Sequence, residues 1–143
     1  MKQIETKFNV RYSETDQMKI VHHSNYTIWF ESGRSDFLKS VGISVSYIEN
    51  EGILLPLYEM NCKFKKPARF EDEILVLTGL KRLSCARVIF TYKVFQANTN
   101  VLLATGETMH AWTNKSFEPV NAMKKIPEVY DILAGLLGAN SEQ

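Results

Sequence analysis

Asp16, His22 and His23 are the residues whose types and spacing could do chemistry, within the run RYSETDQMKIVHHSNYTIWFESGR from Arg11 to Arg34. A carboxylate can attack an electrophilic carbon or activate water for that attack. An imidazole can carry a proton or orient the carboxylate. The start of a helix adds a third group, because its first N–H groups have no partner inside the helix and its dipole favours negative charge. A carboxylate, two imidazoles and the positive end of a helix are close together here. This run is the candidate site.

A strand and a helix must position those groups. Thr6 to Tyr12 alternates, with Phe8, Val10 and Tyr12 on one face, and reads as a strand. Ser13 to Asp16 follows as a polar turn, which for Asp16 taken alone is also the plainest explanation. From Tyr26 to Val41 the apolar residues Trp29, Phe30, Gly33, Phe37, Leu38 and Val41 recur at spacings of three and four, which predicts a buried helix. Ser24 or Asn25 is its expected N-cap and Gly42 its stop. Gly33 weakens a helix interior by about 1 kcal/mol relative to Ala, so a close approach by a sheet is expected there.

Beyond Gly52 the period changes from 3.6 to 2. Strands are predicted over Ile53 to Lys65, Glu73 to Leu83, Arg87 to Ala97 and Val101 to Asn114. The connection from Ile43 to Gly52 has room for one helical turn around Val45 to Glu49. Pro56 marks a bulge or an edge, and Gly106 a bulge or a close contact with the helix. Ile126 to Leu137 reads as a short amphipathic helix, with Gly138 to Gln143 frayed. One strand, one helix and four consecutive antiparallel strands give an α+β fold in a single domain over 1–143.

The chain has 143 residues, a net charge of +1 and two cysteines, Cys62 and Cys85. That charge argues against a nucleic-acid binder, which needs a strong basic excess. No apolar run is long enough to enter a membrane as a spanning helix. The N-terminal MKQIETKFNV has no apolar segment of the kind that directs secretion, so a cytoplasmic protein with buried thiols in its strands is expected.

The motif R-Y-x-E-T-D-Q-M-x-x-V-x-H-x-N-Y-x-x-W-F-E-x-x-R, from Arg11 to Arg34, resembles the signature of hotdog-fold acyl-CoA thioesterases of the 4-hydroxybenzoyl-CoA thioesterase type. It is most similar to the short bacterial members found beside the Tol–Pal genes, and the resemblance runs from about Lys7 to Tyr130. It implies a five-stranded antiparallel sheet curled around one long helix. It implies homodimers, often homotetramers, with the active site at a subunit interface, an acyl-CoA substrate and no metal or other cofactor. Asp16 matches the family's catalytic carboxylate, and His23 matches the position whose backbone N–H polarises the thioester carbonyl. One position departs: Lys19 stands where these proteins usually carry Gly. If positive φ is required there, Lys costs conformational energy and crowds the site.

The chemistry is consistent with those assignments. Thioester hydrolysis needs an attacking oxygen, directly from Asp16 or from water it activates, and donors facing the oxygen on which charge accumulates. The thiolate leaves readily, so no strong general acid is required. Val21, His22, Asn25, Tyr26 and Trp29 are candidates to line or shape the acyl pocket, although core packing explains Tyr26 and Trp29 equally well. Lys63, Lys65, Arg69 and Arg87 are candidates to meet the phosphates of coenzyme A, against the alternative of a solvated sheet edge. Other readings are a metal site from Asp16, His22, His23 and His110, a hotdog hydratase or dehydratase with His as base, and a non-catalytic acyl-CoA binding module. Adjacent histidines in extended chain point to opposite faces, and no HxxxH or Cys/His spacing supports the metal.

Overall fold

Alternating apolar residues build most of the molecule, and one amphipathic helix covers them. A computed structural model describes residues 2–137, so the expected fraying of Gly138 to Gln143 falls outside the described residues. Five strands, β1 (Gln3–Asn9), β2 (Leu57–Phe64), β3 (Glu73–Leu83), β4 (Arg87–Gln96) and β5 (Val101–Ala111), form one antiparallel sheet in the order β1-β3-β4-β5-β2. The helices are α1 (Ser24–Ser40), α2 (Val45–Asn50), α3 (Ala122–Lys125) and α4 (Pro127–Leu137). This is the α+β arrangement expected from the sequence. β1 and β2 lie at opposite edges, so the segment between them must cross the sheet, and α1 lies in that crossing.

Ile74, Val76, Leu80, Val88, Phe90, Tyr92 and Val94 are all buried on β3 and β4. α1 buries Tyr26, Trp29, Phe30, Gly33, Phe37 and Leu38 and packs on β1, β3 and β4. Phe30 stacks on Tyr92 with ring centroids 4.3 Å apart, and Phe37 meets Phe90 edge-on at 5.8 Å. Each such buried side chain contributes about 1.5–3 kcal/mol, which outweighs the propensity cost of Gly33. A Cβ on Gly33 would collide with Thr78 Oγ1 and stand 3.2 Å from Val76 Cγ1. Gly106 sits in regular register between Cys62 and Tyr92, so it marks a close approach and not a bulge. A Cβ there would stand 2.5 Å from the Phe30 ring.

Several boundaries differ from expectation for local reasons. β1 spans Gln3–Asn9 because its partner β3 begins at Glu73, opposite Asn9. Tyr12 therefore leaves the sheet, starts a 3-10 turn (Tyr12–Glu14) and is 75% exposed. β2 is shorter than Ile53 to Lys65, since Leu54 pairs only with Thr113 and a bulge between Leu57 and Glu59 follows Pro56. β4 stops one residue early, at Gln96. β5 ends at Ala111 because Thr113 turns to meet Leu54 and Pro119. α1 begins at Ser24, two residues before expected, and neither Ser24 nor Asn25 is its cap. Gly42 does take the left-handed conformation, at φ 81°. α3 has no counterpart in the sequence reading and carries the exposed Lys124 and Lys125, while α4 packs on β3. Cys62 and Cys85 are free and only half-buried, and Cys85 lies in the β3–β4 turn.

A chain of polar groups runs through the core beneath α1. Arg34 Nη1 donates to Tyr92 Oη at 3.2 Å, and Tyr92 Oη lies 2.6 Å from Thr108 Oγ1. His110 Nε2 lies 2.9 Å from the same Thr108 oxygen, and its Nδ1 lies 3.1 Å from the Leu55 carbonyl. A carbonyl can only accept, so Nδ1 carries the proton and Nε2 accepts from Thr108; Tyr92 in turn donates to Thr108. Burial and the Arg34 charge push the His110 imidazole down to about 4. Below its ordinary value near 6.5 the unfolded chain takes up a proton that the folded chain refuses. Stability is therefore expected to fall as pH drops from 6.5 to 4, by on the order of 3 kcal/mol from this residue. Urea unfolding of wild type and His110→Gln across that range checks it: the difference between the two should narrow or reverse toward pH 4.

Candidate active site

Between the 3-10 turn and α1 the chain makes a small, closed loop that carries Asp16. Thr15 and Val21 form an isolated bridge. Inside it Asp16 N–H donates to the Ile20 carbonyl at 3.0 Å and Lys19 N–H to the Asp16 carbonyl at 2.9 Å. Lys19 closes this three-residue loop at φ 66°. Such loops place a left-handed residue last, which is the reason Gly is favoured there. Asp16 Oδ1 accepts the Met18 N–H at 2.8 Å, and among the described residues Oδ2 has no hydrogen-bond partner.

α1 starts beside this loop. His23 holds the N-cap position with helical φ −56° and ψ −27°, and its own side chain makes no capping hydrogen bond. Its own N–H has no acceptor among the described residues, whereas the N–H groups of Val21 and His22 are taken by the carbonyls of Ala68 and Glu14 at 2.8 Å each. Asn25 does not cap the helix. Its Nδ2 donates to the Glu14 carbonyl at 2.9 Å and the His22 carbonyl at 3.2 Å, which orients the loop.

A cleft of about 350 Å³ opens between the loop and the end of β2. Asp16, Val21, His23, Tyr26 and Lys65 line it, together with Met18, Ile20, Phe64, Lys66 and Pro67. Tyr26 is buried against Trp29 and Phe64, and its hydroxyl is pushed up to about 12 by burial and, less, by Cys62. It stays a neutral wall. Of these, Met18, Ile20 and Phe64 were legible only as sequence neighbours of Asp16 or as one end of a strand face.

The remaining candidates lie outside the cleft in this chain. His22 is exposed; its Nδ1 accepts the Ser24 N–H at 3.2 Å and pairs with Ser24 Oγ at 2.9 Å. Its ring lies beside that of His23, with centroids 4.1 Å apart. The expectation that the two imidazoles diverge fails, because His23 has already turned into helical geometry. His110 is taken by the core network, and among the described residues no three His, Cys, Asp or Glu cluster as metal ligands. Trp29 is buried, with Nε1 donating to Glu14 Oε2 at 2.9 Å, so it acts in packing and not as an open pocket wall. Lys63 belongs to a separate polar hollow with Asn61, Thr91, Thr105 and Glu107. Arg69 is exposed in the turn closed by Asp72, and the Arg87 guanidinium lies 5.4 Å from the centre of the Tyr58 ring.

The profile of the thioesterase-like superfamily matches residues 10–132. The chain belongs to this family. Three relatives place it further. YneP of Bacillus subtilis (strain 168), provisionally named an acyl-CoA thioesterase, is 31% identical over 122 residues, covering 85% of this chain and 88% of YneP. The acyl-CoA thioester hydrolase YbgC of Escherichia coli O157:H7 is 25% identical over 100 residues, 70% of this chain and 74% of YbgC. The crystal structure of a DHNA-CoA thioesterase from Staphylococcus aureus superposes with a TM-score of 0.93 at 28% identity, covering 98% of this chain and 94% of the other. The chain is a thioester hydrolase.

In this thioesterase-like chain the strain at Lys19 is testable. A left-handed L-residue costs about 1–2 kcal/mol, and Gly gives back part of that through its freer unfolded state. Lys19→Gly should raise stability by about 0.5–1 kcal/mol in chemical denaturation, and Lys19→Ala should not.

Proposed function

We propose that the chain hydrolyses acyl-CoA thioesters to a free carboxylic acid and coenzyme A, with Asp16 supplying or activating the attacking oxygen. The observation that carries this reading is one cleft lined by both Asp16, whose Oδ2 has no hydrogen-bond partner among the described residues, and His23, whose N–H has no acceptor among them. A thioester carbonyl bound between them has its carbon open to Asp16 or to a water held by it. Its oxygen faces the His23 N–H, which stabilises the oxyanion as the tetrahedral centre forms. The C–S bond then breaks and the thiolate leaves, giving the free acid directly if water attacked. If Asp16 attacked, water then cleaves the mixed anhydride to release the acid and restore the carboxylate. No metal or cofactor enters the proposal.

Lys65 and Lys66 at the cleft edge suit the phosphates of coenzyme A as charge-assisted donors. Lys63, Arg69 and Arg87 stand farther from this cleft within one chain. The narrower assignment to the 4-hydroxybenzoyl-CoA type, near the Tol–Pal members, rests on the Arg11 to Arg34 motif and belongs to the proposal, as does a cytoplasmic setting. No helix among the described residues is long and apolar enough to cross a membrane. Assayed with a thiol reagent across an acyl-CoA panel, Asp16→Asn should lose about 10²–10⁴-fold in turnover. Undiminished turnover, or enoyl-CoA consumed without thiol release, would overturn the reading.

The proposal includes a homodimer built on β2. That strand is an edge, hydrogen-bonded on one side only, and it exposes Leu57, Tyr58 and Phe64. An open apolar edge is a template for pairing with a second copy. Two-fold antiparallel pairing would bring the partner's β2 beside the Phe64 end of the cleft. Light scattering should then give twice the 16.4 kDa chain mass or a higher even multiple. A Cys62→Pro substitution should lower the mass to that of one chain, and a wild-type monomer at micromolar concentration would contradict the pairing.

A further inference from the structure

Glu14 is the one charged residue buried beside the cleft, at 8% exposure, while Asp16 is half-buried and His22 and His23 are exposed. It does not line the cleft. Its carboxylate accepts two neutral N–H donors from different elements: Oε1 takes the Arg11 backbone N–H at 2.8 Å, and Oε2 takes the Trp29 indole N–H at 2.9 Å. Its backbone carbonyl accepts the His22 N–H at 2.8 Å and the Asn25 side-chain amide at 2.9 Å. No cation pairs with it; the one ion pair among the described residues joins Lys81 and Glu107.

A carboxylate taken out of water without a cation is costly, and an apolar residue could fill the same volume. What Glu14 offers instead is geometry. Through Arg11 it holds the entry to the loop, through His22 and Asn25 it holds the exit, and through Trp29 it holds the second turn of α1. Asp16 follows it by two residues and His23 follows His22 by one. The two groups that must face each other across a bound carbonyl therefore both hang from this residue.

We infer that Glu14 is a positioning residue that sets the separation of the Asp16 carboxylate from the first free N–H of α1. The inference rests on the catalytic reading of Asp16 given above. It requires two acceptor oxygens. Glutamine is nearly the same shape but has one, so in Glu14→Gln an NH₂ group must face either the Arg11 or the Trp29 N–H, donor against donor. Displacing reacting groups by about 1 Å costs up to about 10²-fold in rate even when binding is unchanged.

The test is steady-state hydrolysis of an acyl-CoA substrate by wild type, Glu14→Gln, Trp29→Phe, the double variant and Asp16→Asn. Each is assayed well below its own unfolding temperature. Glu14→Gln should lose about ten- to a hundredfold in kcat with KM within about twofold. Trp29→Phe, which removes the indole donor and leaves the carboxylate, should lose less. The double variant should be no worse than Glu14→Gln alone, because both act through one contact. Amide hydrogen exchange at His22 to Asn25 should speed up in Glu14→Gln. A purely structural Glu14 would lower the unfolding temperature and leave kcat alone, and that result overturns the inference. If Glu14→Gln does not fold, Trp29→Phe decides: wild-type kcat there overturns it. Full activity in Asp16→Asn would instead sink the catalytic reading, whatever Glu14 does.

Discussion

The start of α1 presents one N–H without an acceptor among the described residues, that of His23, while the body of the helix is held elsewhere. Phe30 on Tyr92, Phe37 on Phe90 and Gly33 against Thr78 fix the helix on the sheet over two turns and more. The helix cannot slide or tilt to bury its own first turn. Its N-terminus is left at the cleft with the dipole pointing outward. The loop that carries Asp16 is then pinned to that terminus through Glu14, His22 and Asn25. Core packing thus supplies the rigidity, and a few hydrogen bonds transfer it to the groups at the cleft.

The two glycines that face the helix–sheet contact show how demanding that packing is. At Gly33 the helix backbone comes down on β3, and at Gly106 the Phe30 ring comes down on β5. A methyl group at either point forces the layers apart, and interiors packed at crystal density have little room to absorb it. The polar chain from Arg34 to the Leu55 carbonyl runs through the same region and is satisfied in one direction only. Fully satisfied networks of this kind specify one arrangement of the core.

Much of this was legible in the sequence, and the reasons differ by element. The spacing of Trp29, Phe30, Gly33, Phe37 and Leu38 read as a helix on a sheet, since 3.6-residue periodicity survives any tertiary context. β3 and β4 read almost to the residue. The ends of β1 and β5 did not, because a strand stops where its partner stops, and pairing is invisible in a single chain. The cap of α1 was misplaced for a related reason: Ser24 and Asn25 have capping chemistry, but Asn25 is recruited by carbonyls of the loop. Glu14 read as one more turn residue. Its burial depends on Arg11 and Trp29 converging on it, which no local pattern announces. Lys19 is the opposite case, where the departure from Gly seen in the sequence coincides with a real left-handed residue.

The proposed hydrolysis requires a carbonyl oxygen lying against the His23 N–H while Asp16 Oδ2 faces the carbonyl carbon. A crystal structure with a non-hydrolysable acyl-CoA analogue measures this directly. The carbonyl-equivalent oxygen is expected about 3 Å from the His23 nitrogen, with Asp16 Oδ2, or a water held by it, facing the adjacent carbon. An analogue bound with that oxygen turned away from α1, or seated in another part of the molecule, would contradict it.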